Sequence, residues 1–126
     1  MPSNIIPGLH FKNAKKAIDW LCEVFGLDRH VVYAGRGNQI HHAELTLDGK
    51  GMVMLGSVRK DMPVAKGSIN LIVKDADAIY KRAVKKKAKI LMSIEDKPYG
   101  GRGFACEDFE GNTWHVGTYN PWAAKS

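Results

Sequence analysis

His10, His42, Glu44 and His115 are the residues of this chain whose types invite chemistry. An imidazole titrates near neutral pH, and a carboxylate that orients it completes a general base, so His115 with Glu44 suits proton transfer in a lyase or isomerase. All four side chains are also of ligand type, which leaves an unusual divalent-metal site as a second chemistry. Either reading needs the residues to face one way, and that depends on the elements carrying them.

Those elements come as a repeat. "HFKNAKKAIDWLCEVFG" (10–26) sets Ala14, Ala17, Ile18, Leu21, Cys22 and Phe25 on a helical stripe, with Asn13 as N-cap and Gly26 as the stop. "VKDADAIYKRAVKKKAK" (73–89) repeats the stripe with Ala76, Ile79, Tyr80, Ala83 and Val84, and Asp75 takes the capping place. Ala76 stands 62 positions after Ala14, and Ala83 stands 62 after Leu21, so two equivalent helices are expected. One strand pattern precedes each helix and three follow it. The first half reads "NIIPGLHF", helix, "DRHVVYA", "QIHHAELTL" and "GMVMLGSV"; the second reads "GSINLIVK", helix, "AKILMSI", "GFACEDF" and "TWHVGTY". Turn residues at 35–38, 48–51 and 110–112 separate the strands. The expected fold class is α+β, two tandem βαβββ modules forming a curled mixed sheet. Residues 1–126 make a single domain, with modules at 4–58 and 67–121 and a linker at 59–66.

Alternate strand residues point to opposite faces. Leu9 and Phe11, Ala43, Leu45 and Leu47, Val53 and Leu55, Ile69, Leu71 and Val73, and Trp114 and Val116 are uniformly apolar and should face the helices. The opposite face collects His10, His42, Glu44, Thr46, Met52, Met54, Ser68, Asn70, His115 and Tyr119, a mixed polar set expected of a ligand-binding cup. His41 should point away from it, and His30, on an outer strand, has no expected role. Met52, Met54 and Met92 offer polarizable surface to an apolar or aromatic ligand, while Ser68 and Asn70 offer hydrogen bonds, to His115 or to the ligand. In "KPYGGRGF" (97–104) two glycines allow positive φ, Tyr99 is placed to close over the cup, and Arg102 offers a bidentate donor for a carboxylate or phosphate. Tyr119 is assigned to ligand stacking and Trp122 to a seam between two copies.

Composition narrows the class. Hydrophobic residues make up 44% and charged residues 25%, as in ordinary globular domains. No apolar run approaches the roughly 20 residues that cross a bilayer, and "MPSNIIPG" lacks the basic start of a signal peptide, so a cytoplasmic protein without a membrane partner is expected. Cys22 and Cys106, with no CxxC, are expected as buried thiols. Much of the formal charge of +6 lies in "YKRAVKKKAK" (80–89). Without interleaved aromatics that run reads as a solvated helix face rather than a nucleic-acid site.

With the paired modules in view, the sequence resembles the vicinal oxygen chelate superfamily, the glyoxalase, bleomycin-resistance and extradiol dioxygenase group. The likeness covers 4–121 and rests on "IIPGLHFKNAKKAIDWLCEVFGL", "HAELTLDGKGMVMLGS" and "GRGFACEDFEGNTWHVGTYNPW" in that order. The resemblance implies a cup-shaped cavity for a small organic molecule and a homodimer. It places metal ligands on the first and fourth strands of each half, at Ile6, Met54, Ser68 and His115. Isoleucine has no lone pair and a thioether is a poor ligand for hard ions. No metal cofactor is therefore expected, and the function read from the sequence is small-molecule binding, with the His115/Glu44 lyase or isomerase or the unusual metal site as alternative. At +6 a strongly cationic ligand is disfavoured unless Glu44, Glu107, Asp108 and Glu110 make the cleft locally acidic.

Overall fold

Each helix stripe needs a sheet to bury it, and each half of the chain supplies one. A computed structural model describes residues 5–60 and 65–123, and the chain divides into two compact units, Met1–Lys66 and Gly67–Ser126. In the first, β1 (Gly8–Phe11) leads into α1 (Ala14–Phe25), and β2 (Asp28–Ala34), β3 (Ile40–Leu47) and β4 (Gly51–Ser57) follow. The second repeats this with β5 (Ser68–Ile72), α2 (Ala76–Lys85), β6 (Lys89–Asp96), β7 (Arg102–Glu107) and β8 (Thr113–Gly117). The fold is α+β, with strand orders β1-β4-β3-β2 and β5-β8-β7-β6. Hairpins join the last three strands of each unit antiparallel, and the helical crossover returns the first strand parallel to the last. β1 is shorter than its pattern: Ile6 precedes it, and residue 4 and linker residues 61–64 lie outside the described residues.

The capping chemistry works as the side chains dictate. Asn13 accepts from the Lys16 amide at 3.1 Å, and Asp75 accepts from the Ala78 amide at 3.1 Å. Gly26 ends α1 at φ 74, its amide donating to the Cys22 carbonyl at 3.0 Å. In α2 the same left-handed place, two residues before the next strand, is held by Lys87 at φ 60. The Lys87 and Ala88 amides donate to the Val84 and Ala83 carbonyls at 3.0 and 2.9 Å. A side chain in this conformation costs roughly 1 kcal/mol relative to glycine.

Strand parity sorts the core. Leu9, Phe11, Ala43, Leu45, Val53 and Leu55 are buried on the side of the first sheet that α1 covers, against Ala17, Ile18, Leu21 and Phe25. Ile69, Leu71, Phe104, Cys106, Trp114 and Val116 do the same under α2. Tyr80 of α2 meets Phe104 edge-on at 5.1 Å. Leu47 and Val73, expected in the core, are only half-buried.

One buried charge organises the second unit. Asp108, 4% exposed just past β7, accepts from the Glu110 and Asn112 amides at 2.9 and 3.1 Å, the Asn112 side-chain amide at 3.0 Å and the Trp114 indole Nε1 at 3.0 Å. Asn112 in turn accepts from the Gly67 amide at 2.7 Å. Asp108 is thus a structural carboxylate, occupied by its own turn. Asp108→Ala strands these donors in a buried site and should destabilise the protein by about 3 kcal/mol in urea unfolding, with a smaller loss for Asp108→Asn. A loss under about 1 kcal/mol for Asp108→Ala would contradict this account.

Candidate functional site

The sheet faces turned away from the helices carry the candidate chemistry. Strand register lays each out in rows. Across the first sheet, Gly8, Met54, Glu44 and Val31 stand side by side, and His42 pairs with Tyr33 one step along. Across the second, the equivalent row is Asn70, His115, Ala105 and Met92. Met54 and His115 occupy matching places, as do Glu44 and Ala105.

On the first face a cluster forms around Glu44. His42 Nε2 lies 2.8 Å from Glu44 Oε2, and His30 Nε2 lies 4.0 Å from Oε1. Tyr33 stacks on His42 with ring centroids 6.1 Å apart. The carboxylate is half-buried while both imidazoles keep solvent access, so Glu44 can orient His42 and leave Nδ1 free to exchange a proton. His30 was expected to have no role. It is the extra residue of a bulge between Arg29 and Val31, and the bulge turns it onto this face. Nothing in "DRHVVYA" marks that bulge.

A second bulge falls at His41, between the Tyr33–His42 and Ala34–Ile40 pairs. It returns Ile40 to the core at 4% exposure, and the Ile40 amide, diverted from the ladder, donates to Ser57 Oγ at 2.9 Å. Gly56 lies beneath the bulge, where an added Cβ would come within 3.1 Å of the His41 carbonyl oxygen. His10, on β1 beside Gly56, is half-buried and its imidazole makes no hydrogen bond among the described residues. Met52 and Met54 are half-buried on the same face.

On the second face, His115 is exposed and its imidazole makes no hydrogen bond or ion pair among the described residues; the Ser68 and Asn70 side chains do not bond it. Asn70 and Ala105 flank it in register. His115 and Glu44 belong to different units, and the hydrogen-bond partner of Glu44 is His42.

Arg102 departs most from expectation. Its Nε bonds Asp77 of α2 at 3.0 and 3.2 Å, and Nη1 reaches Asp96 at 3.4 Å. The guanidinium therefore lies on the helix side of the sheet, its bidentate capacity spent on the protein's own carboxylates. The hydrogen bond to Asp77 holds its pKa above the ordinary value. The glycine loop has an internal purpose too: at Gly101, φ 73, an added Cβ would come within 2.6 Å of the Tyr119 amide nitrogen. Tyr99 and Tyr119 meet edge-on at 5.0 Å beside it.

Among the described residues no group of three or more His, Cys, Asp or Glu side chains is placed to hold a metal ion. No helix is long and apolar enough to cross a membrane among the described residues.

The sequence profile of the Glyoxalase/Bleomycin resistance protein/Dioxygenase superfamily matches residues 8–116. The chain belongs to that superfamily. Among solved structures of similar fold, TioX from Micromonospora sp. ML1 is 27% identical with a TM-score of 0.78, over 94% of this chain and 99% of that one. A glyoxalase/bleomycin resistance protein from Streptomyces sp. CB03234 is 21% identical, TM-score 0.72, over 91% and 99%. A lactoylglutathione lyase from Agrobacterium tumefaciens is 20% identical, TM-score 0.67, over 92% and 93%. No curated protein matches the chain.

Burial pushes the Cys106 thiol up to about 12, with Asp108 adding to the shift, and burial also raises Cys22. Cys22 is half-buried rather than buried as expected. A thiol raised in the folded state contributes stability that is complete below the unfolded-chain value near 9 and lost as pH climbs toward 12. In the native protein near pH 8 a disulfide-forming thiol reagent should leave Cys106 unmodified, and Cys106→Ala should flatten the alkaline loss of stability. Fast Cys106 labelling without unfolding would refute this.

Proposed function

We propose that this superfamily member binds a small organic molecule on the open faces of its sheets and carries no catalytic metal. The observation behind this is the chemistry of the equivalent positions. Of Ile6, Met54, Ser68 and His115, where the resemblance implies ligands, only His115 brings a nitrogen donor, and matching rows set Met54 opposite His115 in role. That set does not fit a divalent ion, which needs three or more hard or borderline donors. What it fits is an organic ligand: thioethers at Met52, Met54 and Met92 for apolar contact, and imidazoles, Ser68 and Asn70 for polar contact.

A second reading rests on a specific contact, the 2.8 Å bond between His42 and Glu44. That dyad can shuttle a proton at Nδ1 and would make the protein a metal-free lyase or isomerase, with His42 in the place first expected of His115.

Thermal shift with aromatic acids, thiol conjugates and cationic antibiotics tests the first reading. A true ligand at about a hundred times its Kd should raise Tm by roughly 10 °C, and protein purified without chelator should hold no stoichiometric metal. No shift across the panel, or metal retained through His115, would sink it. Turnover lost in both His42→Ala and Glu44→Gln with folding intact would favour the dyad instead.

We also infer a homodimer. Trp122, 88% exposed, and Tyr33, 59% exposed, are aromatic surface that association would cover. Light scattering coupled to size exclusion should give twice the 14.0 kDa chain mass; a monomer at high micromolar concentration would exclude it.

A further inference from the structure

The net charge of this protein sits in one place. Lys81, Arg82, Lys85, Lys86, Lys87 and Lys89 are six cations in the ten residues 80–89 with no acid among them, and the remaining thirteen Lys and Arg are matched by thirteen Asp and Glu. The structure puts Lys81 and Lys85 in one row of α2 and Arg82 in the adjacent one, with Lys86 capping the helix, all outside the buried set Ala76, Ile79 and Ala83. All six cations are exposed, and among the described residues the ammonium groups of Lys81, Lys85 and Lys87 form no ion pair.

Lys87 supplies a second observation, independent of the charge count. The place it occupies calls for glycine, and α1 has Gly26 there. A lysine kept in a left-handed conformation, where the sister helix shows a strain-free solution, marks a position held for its side chain.

We propose that the outer face of α2 docks the phosphodiester backbone of double-stranded nucleic acid. Lysines act as point charges on phosphates, and the helical stripe from Lys81 to Lys85 rises about 6 Å, against a duplex charge about every 1.7 Å of axis. The missing aromatics argue only against single strands, whose bases need stacking partners; a duplex offers none to stack. An anionic membrane suits the face less well, because a helix lying on lipid buries its apolar side there, and α2 has given that side to its own sheet.

Fluorescence anisotropy with a labelled mixed-sequence DNA duplex of about 20 base pairs decides the matter, with anionic phospholipid vesicles as the competing probe. Binding at 50 mM salt should weaken roughly hundredfold at 200 mM if about four phosphates are engaged. Lys81→Ala with Lys85→Ala should weaken binding at least roughly tenfold and flatten the salt slope. Lys87→Gly should weaken it severalfold while raising Tm, so that lost binding cannot be lost folding. No duplex binding at 50 mM salt, binding indifferent to salt or to these substitutions, or binding to vesicles alone would each overturn the proposal.

Discussion

The second unit depends on a carboxylate almost wholly withdrawn from solvent. Asp108 gathers donors from Glu110, Asn112 and Trp114 just where the chain reverses from β7 into β8, and hydrogen bonds to a charged acceptor are about twice as strong as neutral ones. Asn112 passes the constraint on through the Gly67 amide, and the Thr113 amide bonds the Gly67 carbonyl at 2.9 Å. The start of β5 is thereby pinned to the start of β8. Their parallel register follows, and the row Asn70–His115–Ala105–Met92 takes its place from it. The first unit makes the equivalent turn on backbone alone, with Asp48 and Gly49 at φ 53 and 66 and the Lys50 amide on the Leu47 carbonyl at 3.0 Å.

One scaffold written twice has therefore diverged where it bears chemistry. Glu44 and Ala105 share a position, as do Met54 and His115, so an acid stands on the third strand of one copy and an imidazole on the last strand of the other. The acid has recruited its partners locally. His42 comes from the same strand two residues away, and His30 from a bulge on the edge strand, a place where an inserted residue disturbs only one neighbour. A cluster built this way draws on neither the second copy of the repeat nor the positions from which superfamily resemblance draws metal ligands.

Most of the fold was legible because it rests on period and caps: the helices begin and end at Asn13, Gly26 and Asp75 as their side chains require. Parity placed His42, Glu44 and His115 on the open faces but cannot count across a bulge. It therefore missed His30 and gave no sign that Ile40 rejoins the core. Arg102 was misplaced for another reason. A guanidinium in a glycine-rich segment is ambiguous until its partners are known, and Asp77 stands 25 residues away in sequence. Asp108 was hidden likewise, since an acid beside a turn resembles any surface acid until the Trp114 indole is seen on it.

Separation of charge from the open faces bears on what those faces can hold. The second sheet has α2 on one side and His115 on the other, so the lysines of the outer helix face are separated from the candidate site by a helix about 10 Å across and the sheet beneath it. At physiological salt the Debye length is about 8 Å, and the basic stripe contributes little potential there. Arg102, on the helix side of the second sheet, is paired with Asp77 and Asp96. That stripe therefore says little about the charge of a ligand on the second face. On the first face the local charges are those of Glu44 and the two histidines beside it.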